Sequence, residues 1–90
     1  MLRWFVYILK SKIKDWIYVG YTHDLARRMS EHDAGRVKST KPYRPLELVA
    51  YVAVATKRKA RELERYFKTG SGKAVLKRRI LTDEVPRSGT

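Results

Sequence analysis

Five polar side chains of this 90-residue chain fall at positions where an apolar residue would be expected from the surrounding pattern. They supply two phenols, a guanidinium, an imidazole and a carboxylate, groups that exchange protons, carry positive charge or bind divalent cations. In chain order they are Tyr7, Tyr18, Arg28, His32 and Glu64. Each also has a structural explanation, so the elements that position them must be considered next.

Tyr7 and Tyr18 lie on two short segments rich in aromatic and β-branched residues, separated by the polar residues 11–14. This pattern predicts a β-hairpin with a four-residue loop. In that register Tyr7 pairs directly with Tyr18 on one face of the sheet. Gly20, two residues further on, leaves space for a ligand to approach the backbone. The structural alternative is an aromatic pair that only stabilises the hairpin.

A helix is predicted after the turn at residues 20–23. Thr22 is its predicted N-cap, Asp24 lies in its first turn, and it ends near Ala34.

One face of this helix carries residues spaced by three and four positions, namely Leu25, Arg28, Met29 and His32. Arg28 and His32 therefore lie on or beside the face that packs on the sheet, whereas Arg27 points to solvent. The structural alternatives are an ion pair of Arg28 with Asp24 or Glu31, and a helix-end role for His32 near the last carbonyls.

A second predicted helix, residues 57–69, repeats this arrangement. Its apolar face carries Ala60, Leu63, Glu64 and Phe67, whereas Glu62 lies elsewhere. A carboxylate on such a face needs a partner, because burying an unpaired charge is costly. Glu64 is therefore either an ion-pair partner of Lys68 or Arg28, or a ligand of a divalent cation.

The remaining segments complete the predicted fold. Residues 46–56 predict the third strand, with the even-numbered residues from Leu46 to Val54 on one face. Because both faces of this strand are largely apolar, it is predicted to be the central strand of the sheet. Gly70-Ser71-Gly72 predicts a helix break, followed by a short helix to about Leu81 that packs Leu76 and Ile80.

The order β-β-α-β-α-α predicts an α+β fold, with helices packed on a three-stranded antiparallel or mixed sheet. Residues 1–81 are expected to form one domain, and residues 82–90 a flexible tail.

The charge of the chain favours a polyanionic partner. Twenty-one Lys and Arg residues against nine Asp and Glu give a net charge of +12 and a pI near 10.3. Nucleic acid explains this charge best, since the basic helices carry too narrow an apolar face for membrane binding. A role in solubility alone is the alternative.

Other classes of protein are disfavoured by composition. The chain has no cysteine and two histidines, which argues against disulfide frameworks and zinc fingers. No apolar run has the length of a membrane span or a signal peptide, so a cytoplasmic location is expected.

The long predicted loop at residues 33–45 is a candidate nucleic-acid contact. Tyr43 would stack on bases among cations that contact phosphates, namely Arg36, Lys38, Lys41 and Arg44. The alternative is a solvated connector with a packed tyrosine.

These motifs, in this order and at these spacings, resemble the GIY-YIG nuclease superfamily. Residues 5–7 (Phe-Val-Tyr) stand where the first family triplet stands, and residues 18–20 (Tyr-Val-Gly) where the second does. Arg28 matches the catalytic arginine, His32 a histidine one turn later, and Glu64 the metal-binding glutamate. In the first triplet only the tyrosine of the family pattern is kept.

The resemblance covers about residues 2–81. It is closest to small stand-alone bacterial members similar to the N-terminal domain of excinuclease C. It implies a divalent-metal-dependent DNA endonuclease that hydrolyses phosphodiester bonds, in DNA repair on branched or damaged DNA, with a targeting protein as a candidate partner.

The resemblance also implies roles for the five residues. Tyr7 would be the base or orient the water, Tyr18 would contact Tyr7 or the phosphate, and His32 would hold the tyrosine. Arg28 would bind the phosphate and, with the metal, stabilise a Tyr7 phenolate. Glu64 would bind one Mg²⁺ or Mn²⁺ ion.

Gly20 and Lys68 complete the predicted nucleic-acid contacts. The main alternative function is a non-catalytic basic module that holds DNA or structured RNA. A structural protein that docks on an acidic partner explains the charge but not the five polar residues.

Overall fold

The computed structural model describes residues 1–81 of the chain. In this part, strands and helices follow in the order β1 (Trp4–Ser11), β2 (Ile17–Thr22), α1 (Leu25–Asp33), β3 (Leu46–Val54), α2 (Lys57–Phe67) and α3 (Gly70–Val75). A 3₁₀ turn, Lys41–Tyr43, precedes β3, and a π-helical turn, Leu76–Ile80, extends α3. The α+β class and the three-stranded antiparallel sheet are confirmed. The predicted flexible tail lies outside the described residues.

The central strand of the sheet is β1, since the strand order is β2-β1-β3. The prediction that β3 is central is therefore wrong. Both β1 and β3 are apolar on two faces, so the sequence pattern alone cannot show which of them is central. In the structure, residues 6–9 of β1 are buried, whereas Leu48 and Tyr51 of β3 are exposed. Because β1 is the middle strand, Tyr7 is flanked by β2 on one side and by β3 on the other.

A β-bulge changes the face assignment within β3. Ile8 pairs with Ala50 and Leu9 with Leu48, so Val49 is an extra residue in β3. Beyond the bulge the alternation is reversed, and the predicted single face from Leu46 to Val54 is divided between the two sides of the sheet. The bulge is not visible in the alternation itself.

The hairpin register differs by two residues from the prediction. Tyr7 pairs with Gly20, and Tyr18 pairs with Leu9. The connection is shifted toward the C-terminus, to residues 12–16, because Ser11 belongs to β1 and β2 begins at Ile17. The Ser11 hydroxyl accepts the Ile13 N–H at 3.2 Å, which shapes the turn. A two-residue shift preserves the face of every side chain, so the two tyrosine rings remain neighbours, with centroids 6.3 Å apart.

The N-cap of α1 is Asp24, not Thr22. The Asp24 carboxylate accepts the Arg27 N–H at 3.1 Å, while the Thr22 hydroxyl accepts the Asp24 N–H at 3.1 Å. Both residues are good caps, and Asp24 takes the position because β2 continues through Thr22.

The predicted break between two helices is present but lies earlier, at residues 68–69, because residues 70–72 form the first turn of α3. Thr69 caps this turn by accepting the Gly72 N–H. A Cβ at Gly72 would overlap the Tyr66 carbonyl oxygen, so glycine here permits close helix packing. Leu76 is buried as predicted, whereas Ile80 is exposed because the π-helical turn alters the phase of the last residues.

The two faces of the sheet have different surroundings. One face carries the main apolar cluster, with Val6, Ile8 and Val19 packed against residues of α2 and the π-helical turn. Tyr7 and Leu9 alternate to the other face, where His32 of α1 lies. No helix within residues 1–81 is long and apolar enough to cross a membrane.

Candidate active site

An open cleft of about 560 Å³ lies where β1, β2, α1 and α2 approach one another. Its walls include five of the residues selected from the sequence: Tyr7, Tyr18, Gly20, Arg28 and Glu64. The fold therefore brings these residues, distant in sequence, to one solvent-accessible place.

Tyr7 is buried, and its phenol is held by two partners. The oxygen lies 2.8 Å from His32 Nε2, and Arg28 Nε donates to it at 3.4 Å. Gly20, directly across the hairpin, makes this position accessible, because a Cβ there would overlap the phenol oxygen. The space left by Gly20 is thus used by Tyr7 rather than left open for a ligand.

His32 connects Tyr7 to Thr40. His32 Nδ1 lies 2.8 Å from Thr40 Oγ1, and the Thr40 hydroxyl donates to the Val37 carbonyl at 3.4 Å. Since that bond uses the Thr40 proton, the network assigns the N–H to Nδ1 and leaves Nε2 to accept from Tyr7. His32 is therefore a buried connecting group rather than a free histidine at a helix end.

The sequence did not indicate Thr40. It lies in a segment without periodicity, and its contact with His32 depends on the path of that segment.

Burial sets the protonation of this pair. The pKa of Tyr7 is raised, first by burial, and the hydrogen bond from Arg28 only partly opposes this. The pKa of His32 is lowered, first by burial and then by the charge of Arg28. Arg28 alone therefore does not stabilise a Tyr7 phenolate, because the effect of burial on the Tyr7 pKa is larger than that of the Arg28 hydrogen bond. At neutral pH the pair is a phenol and a neutral imidazole.

Arg28 combines the predicted structural ion pair with the contact to Tyr7. Its Nη1 lies 3.0 Å from Glu31 Oε1, and the pKa of Glu31 is lowered, mainly by this hydrogen bond. The Arg28 side chain is 35% exposed, whereas that of Arg27 is 72% exposed, as the helical phase predicts. Glu31 thus holds the guanidinium at the cleft. From the sequence, Glu31 was predicted only as a candidate ion-pair partner of Arg28.

Glu64 faces the cleft from α2. Its side chain is 21% exposed, and Oε2 lies 3.2 Å from Lys68 Nζ, which is the predicted structural ion pair. Lys68 Nζ in turn lies 5.9 Å from the centroid of the Tyr18 ring. Lys68, a predicted nucleic-acid contact, therefore lies beside the cleft.

The donor atoms of the cleft limit how a metal ion could be held. Among residues 1–81 no cluster of three or more His, Asp or Glu side chains could hold a metal. A single half-buried carboxylate open to solvent fits Mg²⁺, which keeps several of its waters and needs few protein ligands. The residues present are thus compatible with one hydrated ion at Glu64.

The other predicted nucleic-acid contacts lie outside the cleft walls. Arg36, Lys38 and Lys41 belong to the segment after α1, and all three are exposed. Arg44 donates to the carbonyls of Asp33 and Lys41, at 3.1 and 3.2 Å.

The Tyr43 ring stacks on Trp16, a residue not selected from the sequence, with centroids 3.7 Å apart and an interplanar angle of 8°. Tyr43 and Arg44 therefore anchor this segment, Tyr43 to the hairpin and Arg44 to the end of α1.

Residues 3–79 match the family described as the GIY-YIG catalytic domain. The chain belongs to this family of nuclease-type domains. Members of the family generally use a divalent metal. The match covers every residue placed in the cleft.

Relatives include small bacterial proteins. The chain is 45% identical over 65 residues to UPF0213 protein YazA of Bacillus subtilis, a match that covers 71% of this chain and 65% of YazA, slightly less than two thirds of its length. It is 40% identical over 70 residues to a UPF0213 protein of Bacillus pumilus, covering 77% and 70%. The solution NMR structure of UPF0213 protein BH0048 from Bacillus halodurans is similar, with 36% identity, a TM-score of 0.50, and coverage of 81% and 80%.

Proposed function

We propose that this protein is a divalent-metal-dependent endonuclease that hydrolyses phosphodiester bonds in DNA. The observation that carries the proposal is the Tyr7 phenol, held between His32 and Arg28 in the cleft that also contains Glu64. Phosphate binding alone does not require a buried phenol hydrogen-bonded to a neutral imidazole.

Tyr7 and His32 would act together as the base. As water attacks the phosphorus, the Tyr7 oxygen takes the water proton while the Tyr7 proton passes to His32 Nε2. The raised pKa of Tyr7 makes this coupled transfer preferable to a standing phenolate. His32 Nδ1 keeps its proton throughout and donates it in a hydrogen bond to Thr40 Oγ1, which fixes the orientation of the imidazole.

Arg28 would stabilise the charge that develops on the phosphate. Its contacts with Tyr7 and Glu31 use Nε and Nη1, so the Nη2 amino group remains to donate to a non-bridging oxygen. Tyr18, whose ring lies 6.3 Å from that of Tyr7, would donate to the phosphate from the other side.

Glu64 would hold one Mg²⁺ or Mn²⁺ ion, and the bound ion would neutralise charge on the phosphate and the leaving oxygen. Lys68, now paired with Glu64, would move to a phosphate when Glu64 binds the ion. Gly20 would act indirectly, by leaving the space that the Tyr7 phenol occupies at the cleft where the DNA would bind.

The substrate class we propose is branched or damaged DNA in the cytoplasm, with a partner protein that supplies targeting. The net charge of +12 supports a polyanionic substrate. Arg36, Lys38, Lys41, Tyr43 and Arg44 are proposed to contact DNA away from the cleft.

A non-catalytic binding module is the second candidate. It is favoured by the Lys68–Glu64 and Arg28–Glu31 ion pairs, which satisfy these charges without any ligand. A binder would retain the affinity for DNA but not cleave it.

Nicking of supercoiled plasmid by the pure protein separates the two candidates. We expect nicking with Mg²⁺ or Mn²⁺ and none with EDTA, and Tyr7→Phe purified in the same way controls for a contaminating nuclease. Binding of the plasmid without nicking under all conditions would favour the binding module.

A further inference from the structure

We propose that the outer face of α2 binds the phosphate backbone of the DNA strand where it leaves the cleft. The contact would be made by a row of three cations, Lys57, Arg61 and Arg65, here named the α2 stripe. This inference rests on the proposed function in taking DNA as the substrate, and it adds a surface that the cleft and the segment after α1 do not include.

The spacing of the α2 stripe suits a linear polyanion. Its residues are four apart, so consecutive members are separated by about 6 Å along the helix axis and about 40° around it. Such a row is comparable in spacing with successive phosphates along one strand. Glu64 lies two turns after Lys57 and only about 20° from it around the helix, and both residues line the cleft, so the α2 stripe begins at the cleft.

The charges of the α2 stripe are not neutralised within the described part of the chain. Arg58 and Lys59, on the same helix, both pair with Glu62, at 3.4 and 3.5 Å. By contrast, no carboxylate of residues 1–81 forms an ion pair with a member of the α2 stripe. Like charges at a spacing of four residues destabilise a helix slightly, and a bound anion would relieve that cost.

A groove of about 530 Å³ runs along α2, and one of its lining residues also lines the cleft. Lys57 lines both the groove and the cleft, and Arg61 and Arg65 line the groove. The exposed Tyr66 ring lies in the same groove and offers a surface for stacking. An acidic protein would also meet the charge requirement, but only a strand already in the cleft explains why the cationic row begins at Lys57, a residue that also lines the cleft.

The test compares two double variants of the full chain that remove the same charge. Arg61→Gln/Arg65→Gln neutralises two members of the α2 stripe, and Arg78→Gln/Arg79→Gln neutralises two exposed arginines of the π-helical turn that line neither the cleft nor the groove. Affinity for a short labelled duplex is measured by fluorescence anisotropy in EDTA over a range of salt concentrations. Because the first variant removes two phosphate-binding cations, its slope of log K against log[salt] should become shallower by about 1.8, whereas the slope of the second should change little.

Equal changes in both variants would mean that only net charge matters, and no change in the first would mean that the α2 stripe does not contact DNA. Either result overturns the inference. All four arginines are exposed, so unfolding temperatures near that of the parent are expected and confirm that the variants are folded. Because EDTA prevents metal-dependent cleavage, a parent that binds but fails to nick with Mg²⁺ would contradict the proposed function and leave this binding result valid.

Discussion

The site depends most on how Tyr7 is held. Its phenol is placed by a glycine across the hairpin and by one nitrogen each from Arg28 and His32. The sequence predicted that Arg28 and His32 share a helical face, because that relation depends only on local periodicity. It could not predict Thr40, whose contact with His32 requires the three-dimensional path of the segment between α1 and β3.

Tyr7→Phe should lower the nicking rate sharply, because the ring remains but the proton-transferring oxygen is removed. Stability should fall by about 1–3 kcal/mol, because His32 Nε2 loses its buried partner. Tyr51→Phe is the matched control, since Tyr51 pairs with Tyr7 across the sheet but is exposed. Both quantities are measured, by plasmid nicking and by chemical denaturation. A Tyr7→Phe variant that nicks at the parental rate would remove Tyr7 from the chemistry.

The pH dependence of nicking tests the role of His32. Because its folded pKa is lowered, His32 accepts the Tyr7 proton over most of the pH range and loses this capacity only below its ordinary value of about 6.5. The rate should therefore fall as the pH drops through the lowered pKa.

Stability should change in the same direction. The unfolded chain binds a proton at His32 at higher pH than the folded chain, so stability decreases as the pH falls below about 6.5. Nicking rates and denaturation curves are measured over one series of buffers. A parental rate that stays constant from about pH 7 down to the lowest pH at which the protein remains folded would argue against His32 as the acceptor.

Arg28→Ala should lower the nicking rate by about 10²–10³, the usual effect of removing one preorganised charge stabiliser. Arg27→Ala should have little effect, since Arg27 is largely exposed and only its distant pairing with Glu31, at 3.8 Å, is removed. Initial rates of both variants on the same plasmid provide the comparison. A larger decrease in Arg27→Ala would show that the wrong face of α1 has been assigned to the site.

At the scale of the elements, the sequence predicted which segments are strands and helices better than it predicted how the strands pair. The β-β-α-β-α-α order follows from periodicity, which is local. The hairpin register depended on whether Ser11 ends β1 or begins the turn, and the face of each β3 residue depended on the bulge at Val49. The tyrosine pair was still placed on one face, because an error of two residues preserves the alternation.

Gly20→Ala tests the packing of β1 against β2. The added Cβ would overlap the Tyr7 phenol, so we expect a decrease in stability of about 1–3 kcal/mol from overpacking, together with slower nicking because the phenol is displaced. Gly70→Ala is the matched control, because its Cβ would meet no atom within 4 Å. Denaturation curves and nicking rates are compared for the two. A Gly20→Ala variant with parental stability and rate would show that Tyr7 does not need this space.

At the scale of the whole molecule, the net charge of +12 governs how the protein meets DNA. If about six phosphates are contacted, log K for duplex binding should fall with log[salt] at a slope of about −5. The slope should be similar for duplexes of unrelated sequence, because phosphate contacts carry no sequence information. Titrations of several duplexes at different salt concentrations measure this. A flat salt response, or strong preference for one short sequence, would contradict it.

The fold class could be predicted at this scale but the strand order could not. Both β1 and β3 have apolar residues on two faces, and only the tertiary structure shows that Tyr51 and Leu48 of β3 remain exposed. The residues of the cleft were selected one by one from their positions on apolar faces, whereas their arrangement around one cleft is visible only in the structure.

The central claim, a nuclease site with its metal at Glu64, is tested most directly by plasmid nicking with Glu64→Gln and Glu62→Gln in Mg²⁺. The two glutamates are two residues apart on α2, but Glu64 faces the cleft at 21% exposure, whereas Glu62 is 53% exposed and pairs with Arg58 and Lys59. Glu64→Gln should abolish nicking while binding DNA as well as the parent or slightly better, since a negative charge facing phosphate is removed. Glu62→Gln should nick at nearly the parental rate. Equal decreases in two folded variants, or full activity of Glu64→Gln, would contradict the account.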